Sequence, residues 1–565
     1  MTVQGKLVEH ISDRLLDLVV SWDPFLASAV GVPEATSRVP DFSADGQASL
    51  REGFAGIAAE LSEISVESLE FQDQLTWRMA SWQAELWQTI LDSRREEYTV
   101  SRYKAWSLPT AVTSVMPKTI IASAEDAEAF LERCDKLPQS FAQMTTSLRR
   151  GVANGRVPVC RLVQGAIELM DSMFADGGPE ATFAKLQVTP GANVPTEWSG
   201  RLESSLRAGL RPAMEEFRKV LSDEIEPVSR SDENPGICWI TGGEEAYQAS
   251  IFEHTTTAMT ADEIHELGLA TVAELADEGK QLAERVFGTS DLAEVTNRLR
   301  NDPELRFESN DQIVHAAQEA YERGVKVLPS FIGRVPETAC EVRAMPAREA
   351  AHMMQAYYRP GDLESGKPGI FWVNSDLNRG PTRYELETLT AHESVPGHHV
   401  QWSMAREVKH PRYRNLTPTT AFIEGWALYC ERNAADLGLF TSELSYLGMW
   451  SSQSWRASRL VVDSGLHAKG WSRERAVKYL VDNTATSLAN AEGEVDRYIG
   501  NPGQALAYMT GLLELQKARG SAEKRMGKDF DIRSFHNHLL ANGSPPLPLI
   551  PLIVGHWEET QRKGL

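Results

Sequence analysis

His392-Glu393-Ser394-Val395-Pro396-Gly397-His398-His399 places three histidines and a carboxylate within eight residues, in a 565-residue chain that has only 13 histidines. The residues leading into it, Tyr384 to Ala391, contain neither proline nor glycine and read as a helix. A His-Glu pair on a helix, with more histidines close behind, is the pattern of a zinc hydrolase. Neutral imidazoles hold the metal, and the carboxylate serves the attacking water.

The spacing departs from H-E-x-x-H. There the ligands stand at i and i+4, about 6 Å apart along the axis and on one face. Here position i+4 is Pro396, and His398 and His399 fall at i+6 and i+7. On an ideal helix that is roughly 9–10 Å, too far to share one ion through bonds of about 2.0–2.1 Å. Two readings remain. Either the helix ends near Val395 and the later histidines lie on the surface, or it is interrupted so that His392 meets one of the two. Pro396-Gly397 suits an interruption, because proline removes a helix hydrogen bond and glycine relaxes the backbone.

A third ligand is expected from a second helix, Phe422 to Glu431. Glu424 stands there in an apolar segment, where an ionised carboxylate needs a partner, and zinc would be one. Glu431, at i+7 on the same face, is the alternative ligand or a group behind one. A helix whose carboxylates face water is the plainer reading.

The octapeptide, the Glu424-Gly425-Trp426-Ala427-Leu428-Tyr429 helix and the later run Asp496 to Tyr508 together resemble the bacterial domain-of-unknown-function 885 family over nearly the whole chain. That family is grouped with the gluzincin-type metallopeptidases. The resemblance implies a mainly α, large two-lobed metallopeptidase-like fold, with a deep channel and a small β-sheet near the metal helix. It implies one Zn2+ per chain on His392, His398 and Glu424, with His399 and Glu431 as alternates. His398 is favoured over His399 because its Gly-His order matches related zinc helices. The resemblance also makes Gly366 to Asn374 an edge strand that binds substrate backbone, with Phe371, Trp372 and Asn374 as contacts; a buried hairpin strand is the other reading.

Composition bounds the function. A net charge of −22 without a Lys/Arg cluster argues against nucleic acid and for a well-solvated protein. Five scattered cysteines lack C-x-x-C spacing, residues 1–10 lack an apolar signal core, and no stretch reaches the apolar length of a membrane span. A cytoplasmic protein with no membrane partner is expected. The sequence sets no oligomeric state.

Along the chain, helices are expected at 6–30 (broken at Asp23-Pro24), 49–98, 124–153, 159–175, 196–226, from the Thr260–Glu263 capping box through 287, and at 309–328. No histidine occurs between His10 and His254, so residues 1–235 read as a helical channel wall or lid and 236–565 as the catalytic lobe. His254 reads as structural rather than as a substrate contact. Arg456, Arg459, Asp463 and His467 recur at helical spacing; Asp463 and His467 are candidates to stand behind a metal ligand, with a solvated face as the alternative. Beyond Pro502-Gly503, Gln504 and Tyr508 lie one turn apart. Tyr498 or Tyr508 could donate to an oxyanion and Arg497 could hold a carboxylate, whereas core tyrosines are the plainer assignment. The expected activity is cleavage of small peptides, with Glu393 moving the proton. A zinc hydrolase of another amide and a non-catalytic helical binding protein are the rivals.

Overall fold

The computed structural model describes residues 2–564 apart from Val30, Ala105, Ala351, His352 and Glu364. It is mainly helical, with short strands. Among the described residues no helix is long and apolar enough to cross a membrane. Several helices fall where the sequence places them: Ala124–Ala153, Cys160–Ala175, and Ala261–Phe287 behind a capping box between Thr260 and Glu263. Residues 49–98 differ, forming two helices, Ala44–Ser62 and Phe71–Asp92, separated by a short 3-10 turn at Val66–Ser68.

The chain divides into two compact units, but not at a single cut near 235. The first is Met1–Ser250 with Gly465–Ala476 and Gly493–Pro502; the second is Ile251–Ser464 with Val477–Glu492 and Gly503–Leu565. Polar contacts within the first unit explain why two late segments belong to it. His467 Nδ1 accepts from the Ile237 N–H (3.2 Å), its Nε2 meets the Tyr498 carbonyl (3.0 Å), and Arg473 pairs with Asp496 at 2.7 Å. The first unit also holds a two-residue parallel ladder, β1 (Ile120–Ile121) with β2 (Gln187–Val188).

In the second unit, β3 (Cys340–Ala344), β4 (Ala356–Arg359) and β5 (Gly369–Val373) form one sheet in the order β3-β5-β4. The expected edge strand is therefore corrected: β5 is central, parallel to β3 and antiparallel to β4, so both its edges are already hydrogen-bonded. The helices that matter for the site are α1 (Asn310–Phe331), α2 (Leu386–Glu393), α3 (His398–Glu407), α4 (Thr420–Asp436), α5 (Glu443–His467) and α6 (Ala507–Met526). Ile313 and Ala317 of α1, Phe371 and Val373 of β5, and Leu386 at the start of α2 share one apolar core, which fixes α2 against the sheet. α4 and α6 approach at glycine: a Cβ on Gly425 would stand 2.5 Å from the Gly511 Cα, and one on Gly511 would stand 2.0 Å from the Ala421 carbonyl oxygen.

Candidate metal centre

The helix carrying His392 and Glu393 stops at Glu393, and the next begins at His398. Ser394 (φ −114°, ψ −102°) and Gly397 (φ −75°, ψ −127°) leave helical geometry, and the Val395–Pro396 peptide is cis. The i to i−4 ladder is replaced by a bond from His399 N–H to the Ser394 carbonyl at 3.1 Å. Pro396 turns its carbonyl toward α4, where it accepts from Trp426 Nε1 (3.2 Å) and Cys430 Sγ (3.4 Å). Gly397 passes so close to the end of α2 that a Cβ there would lie 1.9 Å from the His392 carbonyl oxygen and 2.4 Å from that of Ala391. The Pro-Gly step thus folds the chain back over the helix end.

This turn brings two imidazoles to one carboxylate. Nε2 of His392 and Nε2 of His398 each lie 3.7 Å from Glu424 Oε2, and the three donor atoms all lie within 4.8 Å of one another. The two rings stand edge to face, with centroids 4.8 Å apart. Both histidines are buried, and the Glu424 side chain is 19% exposed. Burial opposes a charge on His392, but the Glu424 and Glu431 carboxylates outweigh it and raise its pKa to about 9. Burial would likewise raise Glu424; hydrogen bonds from His392 and His398 hold it far below the usual carboxylate range.

Each ring is oriented from behind. His392 Nδ1 donates to Glu431 Oε1 at 2.7 Å, and Glu431 Oε2 accepts from Ser452 Oγ at 2.6 Å. His398 Nδ1 faces Gln401 Oε1 at 3.4 Å, and Gln401 Nε2 donates to the Phe422 carbonyl at 3.2 Å. Glu431 thus stands behind a candidate ligand rather than among the ligands. His399 points elsewhere: its Nδ1 is 2.9 Å from the Tyr358 hydroxyl of β4, and burial, though opposed by Glu407 and the Thr338 backbone, lowers its pKa to about 4. Held by the sheet, His399 is not among the described residues whose donor atoms converge.

The family described as "Bacterial protein of unknown function (DUF885)" matches residues 24–553. The chain belongs to this family. Two solved structures share the fold, each called a "putative lipoprotein". The one from Colwellia psychrerythraea is 22% identical, with a TM-score of 0.84 over 98% of this chain and 99% of that one. The other, from Shewanella oneidensis and described as of unknown function, is 17% identical, with a TM-score of 0.78 over 96% and 98%. No curated protein matches the sequence.

Other residues singled out in the DUF885 sequence fall in different places. Tyr498 and Arg497 belong to the first unit. Tyr498 is 0% exposed and its hydroxyl donates to Glu494 at 2.8 Å, while Arg497 holds the same carboxylate through Nε (3.1 Å) and Nη2 (2.8 Å). These i to i−4 and i to i−3 contacts on one helix correct the reading of Tyr498 as an oxyanion donor and of Arg497 as a substrate clamp. His467 has both ring nitrogens on first-unit backbone, and Asp463 Oδ1 accepts the Gly503 N–H at 3.0 Å, so neither stands behind a metal ligand. Asp463 instead fixes the turn that leads to Gln504 and Tyr508, whose side chains meet at 3.5 Å. Phe371 and Asn374 are 0% exposed, and Asn374 Nδ2 donates to the Ala350 carbonyl at 2.9 Å, which withdraws both as substrate contacts. Trp372 stacks with Tyr357. The sequence reading missed Gln401, though its place three residues after His398 on a helix is a usable signal.

A metal ion held at His392 Nε2 would displace that ring's proton. If these residues hold zinc, its affinity should rise about tenfold per pH unit from neutrality and level off near the His392 value of about 9. Chelator competition across that range checks it; a pH-independent affinity would contradict His392 as a ligand.

Proposed function

We propose that this chain is a zinc-dependent hydrolase of peptide bonds or related amides, with one zinc held by His392, His398 and Glu424. The observation behind the reading is the convergence of their three donor atoms within 4.8 Å across a broken helix, with Glu393 next in sequence to His392. The residues fit the ion. Two imidazoles and a carboxylate are a catalytic zinc set that leaves one position open, and tetrahedral ligand atoms stand roughly 3.3–3.5 Å apart. The two 3.7 Å separations need to close only slightly. When bound, the ion supplies a lowered water pKa and polarisation of the scissile carbonyl.

The chain's own residues do the rest. Glu431 and Gln401 hold the Nδ1 atoms, leaving both Nε2 atoms turned toward Glu424. Glu393 takes a proton from the attacking water and returns it to the leaving nitrogen. Tyr508 is the candidate oxyanion donor. Zinc analysis of protein purified without a histidine tag should give about one ion per chain. A value below about 0.2, with no tight uptake, would sink the site and favour a helical binding protein. Cleavage of a mixed peptide library separates a peptidase from a hydrolase of other amides.

We place the protein in the cytoplasm, supported by five cysteines that are all unpaired. Two proteins of the same fold are called "putative lipoprotein", so cell fractionation is the deciding measurement.

A further inference from the structure

Behind the triad, a row of hydrogen bonds runs from His392 to an arginine. Glu431 Oε1 takes the Nδ1 proton of His392 at 2.7 Å, and Glu431 Oε2 accepts from Ser452 Oγ at 2.6 Å. Ser452 Oγ in turn accepts from Arg456 Nη1 at 2.6 Å, one turn further along α5. The Glu431 side chain is 1% exposed and that of Arg456 12%, so little water competes for these bonds. Arg456 Nη2 also lies 3.9 Å from Glu431 Oε1, and its guanidinium stands 4.8 Å from the Trp455 ring.

A hydroxyl can donate or accept, and a neutral imidazole can carry its proton on either nitrogen. Such a row has a direction only if one end imposes it. A guanidinium has donors and no acceptor. The Ser452 proton therefore cannot point at Arg456, and the one acceptor its hydroxyl meets among the described residues is Glu431 Oε2. As a carboxylate, Glu431 accepts at both oxygens. The last member of the row is left to donate, which keeps a proton on His392 Nδ1 and turns Nε2 toward Glu424. His398 has no charged row behind it: its Nδ1 faces the neutral amide of Gln401.

We propose that Ser452 and Arg456 are positioning residues for His392. The arginine sets the direction of the row, and the row fixes the ring and the tautomer that offers Nε2 to the metal. This rests on the triad being a zinc site and adds to it two residues that touch neither ion nor substrate.

The test substitutes along the row and reads zinc affinity by chelator competition. Ser452→Ala should weaken zinc about tenfold or more, the usual effect of losing a partner behind a ligand. Ser452→Thr keeps the hydroxyl and should keep wild-type affinity. Arg456→Lys is still a donor without an acceptor and should retain most of it. Arg456→Gln can take the Ser452 proton on its amide oxygen and should lose about as much as Ser452→Ala. Combining Ser452→Ala with Arg456→Gln should cost no more than Ser452→Ala alone, because both act through one path. Additive losses, an unchanged affinity in Ser452→Ala, or an equal loss in Ser452→Thr overturns the proposal. The two Ser452 variants carry the test should the arginine variants fail to fold.

A second readout needs no metal. In the zinc-stripped protein the His392 Nδ1 proton, held on a buried carboxylate, should give a downfield proton resonance. It should persist in Ser452→Thr and broaden by exchange with water in Ser452→Ala. A chain that takes no zinc yet shows this dependence keeps the row and loses the hydrolase. A zinc-binding chain whose affinity and resonance ignore Ser452 does the reverse.

Discussion

On the proposed zinc-hydrolase reading, Glu393→Gln should keep the metal and lose turnover by about three orders of magnitude. Glu393 is the last helical residue of α2, half-buried and next to His392, and belongs to no pair in the donor triad. Glutamine has the same size and leaves the helix end as it is, but its amide oxygen is too weakly basic to take a proton from water. Metal content should therefore hold while the chemical step fails. Glu424→Ala predicts the opposite. It removes the carboxylate that both imidazoles face, and zinc affinity should fall before any question of rate arises. Metal analysis and peptide turnover on both variants decide between these roles. A Glu393→Gln protein without zinc, beside a Glu424→Ala protein that retains it, would reverse the two assignments.

What the sequence revealed and what it hid follow from the range of the forces involved. The capping box at Thr260 and the helix at Ala124–Ala153 are set by residues within a few positions, and they stand where local patterning puts them. The broken helix was legible for the same reason: the i+6 spacing of His392 and His398 lies inside eight residues, and Pro396-Gly397 supplies the means of a break. Glu424 was legible because a carboxylate among apolar neighbours needs an explanation wherever the helix packs. The choice between His398 and His399 was harder, since what holds His399 elsewhere is Tyr358, on a strand 41 residues earlier in the chain. β5 became central through partners at 340–344 and 356–359, and no local pattern in its five residues reports two paired edges. Tyr498 and Arg497 went astray in the other direction. Their partner, Glu494, lies within one helical turn, at a spacing that local patterning reports.

The turn itself is the most exacting part of the site, and Gly397→Ala should destroy it. The φ of −75° is not in the left-handed region, and the objection is one of space. A Cβ would meet the carbonyl oxygens of His392 and Ala391 at 1.9 and 2.4 Å. Both are backbone atoms in the last turn of α2, so no side chain can swing aside to relieve the clash. Either that turn unwinds, moving His392 and Glu393, or the start of α3 lifts, carrying His398 away from Glu424. Zinc ligation tolerates displacements of only about 0.2 Å. Affinity should therefore drop by two orders of magnitude or more, about the effect of removing a ligand's support, with a stability loss of about 3 kcal/mol. Gly493→Ala is the control. Its Cβ would meet nothing within 4 Å, in the helix Leu488–Gly500, and should stabilise the fold by about 0.5–1 kcal/mol while leaving zinc untouched. Zinc titration and thermal melting of the two variants separate a steric demand at the turn from a general intolerance of added methyl groups. Wild-type zinc affinity in Gly397→Ala would mean that His398 does not need this turn to reach the metal.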